Sequence, residues 1–281
     1  MGKTGTLGLL TYQIFQETFG NQIDQILGTA VEHDYQIMMG VASNRVSQIS
    51  RDDETAQIKQ LISWGIDGLL IHTRGDEGES ERILDAVKGR VPVVTLHYPA
   101  KNLSGVILDY VAEYFEATEH LIKLGHEQIG FIGEDWNESS PVAAKGKGYL
   151  LAMQQYGLTP KRIPVSDIFA ESGYCQGKEL GGRFTALICR DDYTAIGVCK
   201  GLQESGIRIP DDVAVVGYGD IDVAAYVTPS LTTLVTPYEA IAQAAMDLML
   251  EQLEEQDTPR QITLKSHLVV RESCGANKDE K

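Results

Sequence analysis

Apolar and polar positions along this chain alternate between two periods, and the alternation predicts strands that are each followed by a helix. The segment Leu7–Leu10 is continuously apolar and strand-length, whereas Thr18–His33 carries apolar residues at the helical spacing of three and four. The same pair of patterns recurs along most of the chain. Continuous apolar strands separated by helices are typical of parallel sheets that are covered on both faces. The pattern therefore predicts an α/β protein.

The recurring pattern divides into two runs of about five strand–helix units, which predict two doubly wound, Rossmann-like lobes with parallel sheets. The predicted strands lie at 7–10, 35–40, 68–71, 91–96, 106–108, 128–132, 163–168, 186–189 and 213–217. The predicted helices lie at 18–33, 52–64, 80–87, 110–124, 143–156, 173–180 and 195–205. A late segment departs from this order, with an extended stretch at 231–235, a long helix at 238–254 and a final strand pair near 262–264 and 268–270.

The predicted lobes are discontinuous in sequence, because a helix-plus-strand tail of this kind can return to the first lobe. We predict an N-terminal lobe formed by 5–109 and 236–260, and a C-terminal lobe formed by 110–235 and 261–275. The polar ending 276–281 is predicted to be disordered. In doubly wound sheets, ligands bind at the carboxyl ends of the strands, so the expected site is the cleft between the lobes.

Charge and composition narrow the class of protein. The formal net charge is −16, with 24 Lys and Arg against 40 Asp and Glu, and such a surface should repel duplex DNA. The four cysteines show no CxxC spacing and fit reduced thiols better than a disulfide framework or a zinc site. No apolar run approaches the ~20 residues of a membrane helix, and no secretory signal precedes the first strand. These features favour a cytoplasmic protein with no membrane partner.

Motifs for catalysis and for cofactor binding are weak. No GxGxxG follows the first strand, the glycine-rich KGKGY at 145–149 lacks the phosphate-loop spacing, and no GxSxG elbow is present. His120 and His126 lie six residues apart, which is not a zinc-protease spacing. We therefore predict no catalytic residue, no cofactor and no metal. A doubly wound enzyme stays open as an alternative that would need an acid–base pair in the cleft.

Four motifs occur in a fixed order and carry a family resemblance. LIKLGHEQIGFIG at 121–133 resembles the pattern LI-x-LGH-x-x-I-x-x-I-x-G, and IPDDVAVVGY at 209–218 resembles IP-x-D-[VI]-[AS]-[VI]-[VI]-G-[FY]. TPSLTTL at 228–234 resembles TP-x-LTT-[VI], and LVVRES at 268–273 resembles L-x-[VI]-RES. Together they identify the chain, from about Thr6 to Cys274, as similar to the effector-binding domain of lactose-repressor and purine-repressor type (LacI/GalR) transcription regulators.

This resemblance implies a fold like that of type I periplasmic binding proteins, with two lobes joined by a three-strand hinge. It implies a non-enzymatic sensor that binds a small molecule, a sugar or a sugar derivative, in the cleft. It further implies a homodimer in which lobe rotation moves an N-terminal helix-turn-helix on or off DNA. The chain carries no such headpiece, so DNA is an expected partner only through that missing part. The other alternative is a secreted solute-binding protein of a transporter, which shares the fold but would carry a signal sequence.

The resemblance also assigns ligand-binding positions, all of which are expectations from the family pattern. They are Tyr12, Thr18, Phe19, His72, Tyr98, Asp109, Ser139, Lys145, Phe169, Asp191, Asp192, Gly219 and Asp220. Three positions depart from the family: Lys145 replaces an arginine, Asp191 replaces an asparagine, and Gly219 replaces an aspartate that accepts hydrogen bonds from ligand hydroxyls. Each departure changes the donors or acceptors offered to a ligand, so the chemical identity of the effector stays open.

Overall fold

A computed structural model describes residues 3–12, 17–42, 51–75, 77–133, 135–136, 143–165, 169–254 and 258–276. The strands are β1 Thr6–Thr11, β2 Gln36–Val41, β3 Gly68–His72, β4 Val93–His97, β5 Ser104–Leu108, β6 Ile129–Ile132, β7 Lys161–Ile163, β8 Ala186–Cys189, β9 Ala214–Gly219, β10 Thr232–Val235, β11 Gln261–Leu264 and β12 His267–Val269. The helices are α1 Glu17–Glu32, α2 Arg51–Ser63, α3 Glu79–Val87, α4 Tyr110–Lys123, α5 Ala144–Gln155, α6 Ala170–Leu180, α7 Asp192–Glu204 and α8 Tyr238–Leu253.

The first compact unit comprises residues 1–108 and 237–264 and is built on one parallel sheet. Its strand order is β11-β5-β4-β3-β1-β2, and every neighbouring pair is parallel. Helix α8 packs on β3, β4 and β5 beside α1, whereas α2 packs on β1 and β2 beside α3. The central strands are buried because helices cover them, and β3 is buried at all five positions, whereas the edge strands β2 and β11 are partly exposed.

The second compact unit comprises residues 109–236 and 265–281 and has a sheet of the same kind. Its order is β12-β10-β9-β8-β6-β7, with all pairs parallel except the antiparallel edge pair of β10 and β12. Helices α4 and α5 pack together, and so do α6 and α7. The predicted α/β class with two doubly wound sheets is confirmed.

Three details of the predicted elements are wrong. Of the strand predicted at 163–168, only Ile163 is in a strand within the described residues: β7 runs from Lys161 to Ile163 and pairs with β6, and residues 166–168 lie outside the described ranges. The predicted final strand pair does not form, because β11 pairs with β5 in the first sheet and β12 pairs with β10 in the second. Residues 261–264 therefore belong to the first unit, and of the predicted C-terminal segment 261–275 only the part from Lys265 onward belongs to the second unit. The reason is physical: an apolar pattern predicts a strand but not the edge on which it pairs.

Two further features bear on the predicted class. Within the part of the chain that the structure describes, no helix has the length and apolarity needed to cross a membrane. The cysteines of that part carry free thiols, with Cys175 exposed and Cys189, Cys199 and Cys274 buried. Of the polar ending, residues 277–281 lie outside the described ranges, so the prediction made for them is untested.

Candidate functional site

The carboxyl ends of the first sheet's strands bring together side chains from distant parts of the chain. Strands β1, β3 and β4 are parallel neighbours, so their carboxyl ends lie along one edge of the sheet. Tyr12 follows β1, while His72 and His97 are the last residues of β3 and β4. This is the edge where doubly wound sheets place their ligands.

Four side chains at this edge form what we call the imidazole cluster: Phe19, Gln22, His72 and His97. The ring centroids of His72 and His97 lie 5.3 Å apart, and the Phe19 ring from α1 lies 5.3 Å from His72 and 6.3 Å from His97. His97 Nε2 lies 2.6 Å from Gln22 Oε1, which makes that nitrogen the donor because a carbonyl oxygen only accepts. His97 has a φ of 79°, a left-handed conformation that is rare for a side-chain-bearing residue and is often found at functional sites.

Several polar atoms of the imidazole cluster lack a hydrogen-bond partner within the described residues. They are both ring nitrogens of His72 and Nε2 of Gln22, and both side chains are 1% exposed. Burial lowers the pKa of His72 well below its ordinary value, and the neighbouring His97 lowers it further, whereas a contact with the Leu10 backbone, outside good hydrogen-bond geometry, raises it. His72 is therefore a neutral imidazole, with one donor and one acceptor available to a ligand.

A second group at the same edge, the Tyr12 cluster, comprises Tyr12, Glu54, Arg74 and Glu79. The Tyr12 hydroxyl lies 3.0 Å from Glu54 Oε2 and 3.0 Å from Glu79 Oε1. The Arg74 guanidinium lies 4.8 Å from the centre of the Tyr12 ring and 3.6 Å from Glu54 Oε2. Burial, and next the charge of Glu79, raise the pKa of Glu54; burial also raises the pKa of Tyr12. Tyr12, predicted as a ligand contact, is thus engaged by the protein itself.

The two other predicted positions of the first unit are half-buried. Thr18 lies in the first turn of α1, next to Phe19. Tyr98 follows β4, and its carbonyl oxygen accepts a hydrogen bond from Thr73 Oγ1 at 3.1 Å. Both lie beside members of the imidazole cluster in sequence.

In the second unit, Lys145 sits among three tyrosine rings. Its Nζ lies 4.0 Å from the ring centre of Tyr218, 5.3 Å from that of Tyr110 and 5.7 Å from that of Tyr114. The same nitrogen donates to the carbonyl oxygen of Arg190 at 2.8 Å. Ammonium groups are attracted to the faces of aromatic rings, so this cage holds the Lys145 charge in place.

A buried acid lies on the helix that supplies two of these rings. Glu113 is fully buried, and its Oε1 accepts the backbone N–H of Ser266 at 2.7 Å. Burial raises the pKa of Glu113, while the Ser266 hydrogen bonds and the Lys145 charge lower it. Asp109, predicted as a ligand contact, is half-buried and caps α4 by accepting the N–H of Ala112 at 3.0 Å.

The adjacent acids Asp191 and Asp192 have opposite environments. Asp191 is half-buried, caps α7 through the N–H of Thr194 at 2.7 Å and lies 3.2 Å from Arg190 Nε. Asp192 is fully buried, and its two oxygens accept from Thr233 Oγ1 at 2.6 Å and from the N–H of Ile221 at 3.0 Å. Asp192 therefore ties α7 to the sheet, and its predicted contact with a ligand does not fit this burial.

The remaining predicted positions of the second unit are divided between the sheet edge and the surface. Gly219 ends β9 with a φ of 126°, and Asp220 follows with a φ of 51°. Asp220 is paired with Arg271 at 2.6 Å, so its charge is already neutralised by the protein. Phe169 is 61% exposed immediately before α6. Ser139 lies outside the described residues.

Several polar side chains of these edges were not predicted from the sequence. Those missed are Gln22, Glu54, Arg74, Glu79, His97, Glu113, Arg190 and Arg271. One signal was available for His97, because it ends β4 as His72 ends β3. The others sit on helices or beyond strand ends, where a polar residue usually faces solvent. No group of three or more His, Cys, Asp or Glu arranged to hold a metal ion occurs within the described ranges.

Comparison with known proteins places this architecture in a family. Residues 118–274 match the family described as periplasmic binding protein-like domain. The HTH-type transcriptional repressor PurR of Photobacterium profundum is 27% identical over 282 residues, covering 96% of this chain and 81% of the repressor. A lac repressor dimer bound to operator and an anti-inducer has the same fold, with a TM-score of 0.87, 21% identity and coverage of 96% of this chain and 94% of that one.

A third similar protein is a LacI family regulator from Enterococcus faecium with bound ribose, which has a TM-score of 0.81 and 22% identity and covers 95% of this chain and 98% of its own. These relatives are regulators of transcription and not enzymes, in agreement with the sequence prediction. More than half of the chain matches the family pattern, and the matched segment includes all four sequence motifs in full. The chain belongs to the family of periplasmic binding protein-like domains, in the type that forms the effector-binding domain of LacI-type transcription regulators.

Proposed function

We propose that this chain is a cytoplasmic sensor that binds a small-molecule effector, a sugar or a sugar derivative, in the cleft that the family resemblance implies. The observation that carries this proposal is the imidazole cluster, in which buried polar atoms at the carboxyl edge of the first sheet have no partner within the described chain. A buried polar atom without a partner costs roughly 1–3 kcal/mol, so such atoms are retained where a ligand completes them.

The chemistry of the imidazole cluster suits a ligand that carries neighbouring hydroxyl groups. Neutral His72 offers one donor and one acceptor, and Gln22 Nε2 offers two donors. A hydroxyl group both donates and accepts, so a polyol can satisfy His72 and Gln22 together, while its apolar C–H face can pack on the Phe19 ring. The bound ribose of the Enterococcus faecium relative supports this class of ligand.

Positions of the second unit modify the selectivity that we propose. Gly219 stands where the family has an aspartate that accepts from ligand hydroxyls, and Lys145 offers a point charge where the family has a planar arginine. We therefore expect weak binding of simple neutral hexoses and room for a bulkier ligand. The carboxylate of Asp191, which is predicted to contact the ligand, forms an ion pair with Arg190 at the edge of the sheet.

Binding of the effector would be transmitted to DNA through a change in lobe arrangement. This requires the ligand to bind one arrangement more tightly than the other. In the regulators of this family, the response is read by an N-terminal helix-turn-helix, and we propose the same partner for this domain. The strongly acidic composition of the chain assigns contact with phosphates to such a headpiece and not to this domain.

The replacement His72→Ala is expected to weaken effector binding 5- to 150-fold, which corresponds to about 1–3 kcal/mol for the loss of buried hydrogen bonds. A thermal-shift panel of pentoses, hexoses, disaccharides, sugar phosphates and nucleobases selects the ligand, and calorimetry then measures its affinity. His267→Ala is the matched control, because His267 is exposed on β12. Equal affinity in the His72 variant and in the control would refute the assignment of the imidazole cluster.

The chain is also expected to form a homodimer, since a closed two-fold interface is the usual assembly and the lac repressor relative is a dimer. Val223 and Tyr226 of the second unit are 46% and 78% exposed, and exposed apolar and aromatic side chains are the kind that dimer interfaces cover. Light scattering across a dilution series should give twice the chain mass of 30.8 kDa. A monomer mass at high micromolar concentration would remove this part of the proposal.

A further inference from the structure

In the Tyr12 cluster, the tyrosine oxygen lies close to two carboxylate oxygens, but it carries only one hydrogen to donate. The Tyr12 oxygen lies 3.0 Å from Glu54 Oε2 and 3.0 Å from Glu79 Oε1, both within hydrogen-bonding distance. A phenol carries one hydrogen, and an ionised carboxylate carries none. Two carboxylates can therefore not both be ionised and both be well bonded to this hydroxyl. One of them must hold a proton and donate it to the Tyr12 oxygen.

The contacts of Glu79 identify it as the ionised acid. Its two oxygens accept the backbone N–H of Arg74, at 3.0 and 3.2 Å, and that of Gly75, at 2.8 Å. These donors and the Tyr12 O–H surround the carboxylate of Glu79, a residue that is only 3% exposed. A carboxylate that accepts several N–H groups is stabilised in its charged form.

Glu54 lacks such support. It is fully buried, and its Oε1 has no hydrogen-bond partner among the described residues. The charged groups that face it are Glu79 and Arg82 from α3 and Arg74 beyond β3, and Tyr12 is its hydrogen-bonding neighbour. Burial and then Glu79 raise the pKa of Glu54, and these effects outweigh those of Tyr12, Arg82 and Arg74, which lower it.

We infer that Glu54 Oε2 of the first unit carries one proton, and that the hydrogen bond made by this proton holds the end of β1 against helices α2 and α3. The chain of hydrogen bonds runs from Glu54 O–H to the Tyr12 oxygen and from Tyr12 O–H to Glu79. Loss of the proton leaves two buried anions facing one phenol, so the end of β1 is released from α2 as the pH rises. These hydrogen bonds lie at the same sheet edge as the imidazole cluster, but they form in the unliganded chain. The inference therefore does not depend on the proposed function.

Carboxyl-carbon NMR of the full chain labelled with ¹³C-glutamate tests where the proton is. The resonance of Glu54 should keep the chemical shift of a protonated acid to a higher pH than an ordinary glutamic acid, whose pKa is about 4.3. That resonance should vanish in Glu54→Gln and persist in Glu81→Gln, an exposed acid on the same helix as Glu79. Because burial also raises the pKa of Glu113, disappearance in the Glu54 variant is the criterion. Disappearance in Glu79→Gln alone, or in neither variant, would overturn the inference.

Thermal unfolding between pH 5 and 9 provides an independent test, because glutamine at position 54 mimics the protonated acid and can donate its N–H to Tyr12. The melting temperature of Glu54→Gln should be nearest to that of the parent at pH 5, and should rise above it as the pH approaches the raised pKa of Glu54 in the folded chain, with no further change above that pKa. Glu79→Gln should melt below the parent at every pH, because its amide meets backbone donors. If Glu54→Gln also melts below the parent throughout, Glu54 is an ionised acceptor and no proton is stored.

Discussion

Replacement of Gly197 by alanine is expected to destabilise the second unit by about 3 kcal/mol or more, the upper part of the range for overpacking. Gly197 lies on α7 where that helix crosses α6, and an added Cβ would overlap the carbonyl oxygen of Ala170 and lie 2.8 Å from the backbone nitrogen of Tyr174. These are backbone atoms, which cannot move aside as a flexible side chain can. The gain of about 1 kcal/mol in helix propensity does not compensate.

The contact between α6 and α7 depends on glycines from both helices. Added Cβ atoms at Gly173 and Gly177 of α6 would meet carbonyl oxygens of α7, and one at Gly201 of α7 would meet the carbonyl oxygen of Tyr174. The two helices begin at the carboxyl edge of the sheet, next to Phe169 and to Asp191. Their close packing therefore sets the positions of two predicted ligand contacts.

Gly28→Ala is the control for the Gly197 prediction. Gly28 is an exposed position within α1, and an added Cβ meets no heavy atom within 4 Å. The same chemical change should there stabilise the protein by up to about 1 kcal/mol. Urea unfolding of both variants measures the two effects, and a Gly197→Ala variant as stable as the parent would contradict the packing described.

The order of the elements could be predicted from the sequence, because the buried faces of helices and strands place apolar residues at different spacings along the chain. Helices at the period of 3.6 and continuous apolar strands such as β3 and β9 were predicted nearly at their bounds. The final strands were harder, because β11 and β12 are short, half-exposed edge strands with weak patterns. Which strand each of them pairs with depends on the path of the chain between the two units, and a local sequence pattern does not reveal that path.

The candidate sites were predictable only where a strand end fixes the position of a side chain. His72 ends β3 and Tyr12 follows β1, so both lie at the sheet edge, and their contact with a ligand stays a prediction, whereas their neighbours Gln22 and Glu54 come from helices. Asp191 and Asp192 show the same limit. Which of two adjacent acids turns inward depends on Thr233 and on Gly217, whose missing side chain leaves room for the Asp192 carboxylate.

The buried carboxylate of Asp192 is expected to make the stability of the second unit fall as the pH rises. Burial raises its pKa from 3.8 to about 7, with Asp191 and Asp220 adding to the rise and the bonds from Thr233 and Ile221 opposing it. Between these two values the folded state binds more protons than the unfolded state, so the free energy of unfolding decreases with pH until about pH 7 and is level above it. The contribution of this group between pH 5 and 8 is a loss of about 3 kcal/mol.

Asp192→Asn isolates this effect, because the asparagine cannot ionise. At pH 5 the variant should be less stable than the parent by about 1–3 kcal/mol, since its amide oxygen can accept from the N–H of Ile221 and its nitrogen can donate one hydrogen to Thr233, which leaves the second amide hydrogen as a buried unmet donor. As the pH rises the parent loses stability relative to the variant, and the difference between them should shrink and approach zero, or reverse, near pH 8. Urea unfolding of both proteins across this range measures the difference, and Asp222→Asn, an exposed position of the same unit, should leave the pH profile of the parent unchanged. A constant difference between Asp192→Asn and the parent from pH 5 to 8 would mean that Asp192 is ionised throughout, held as an anion by Thr233 and the backbone of Ile221.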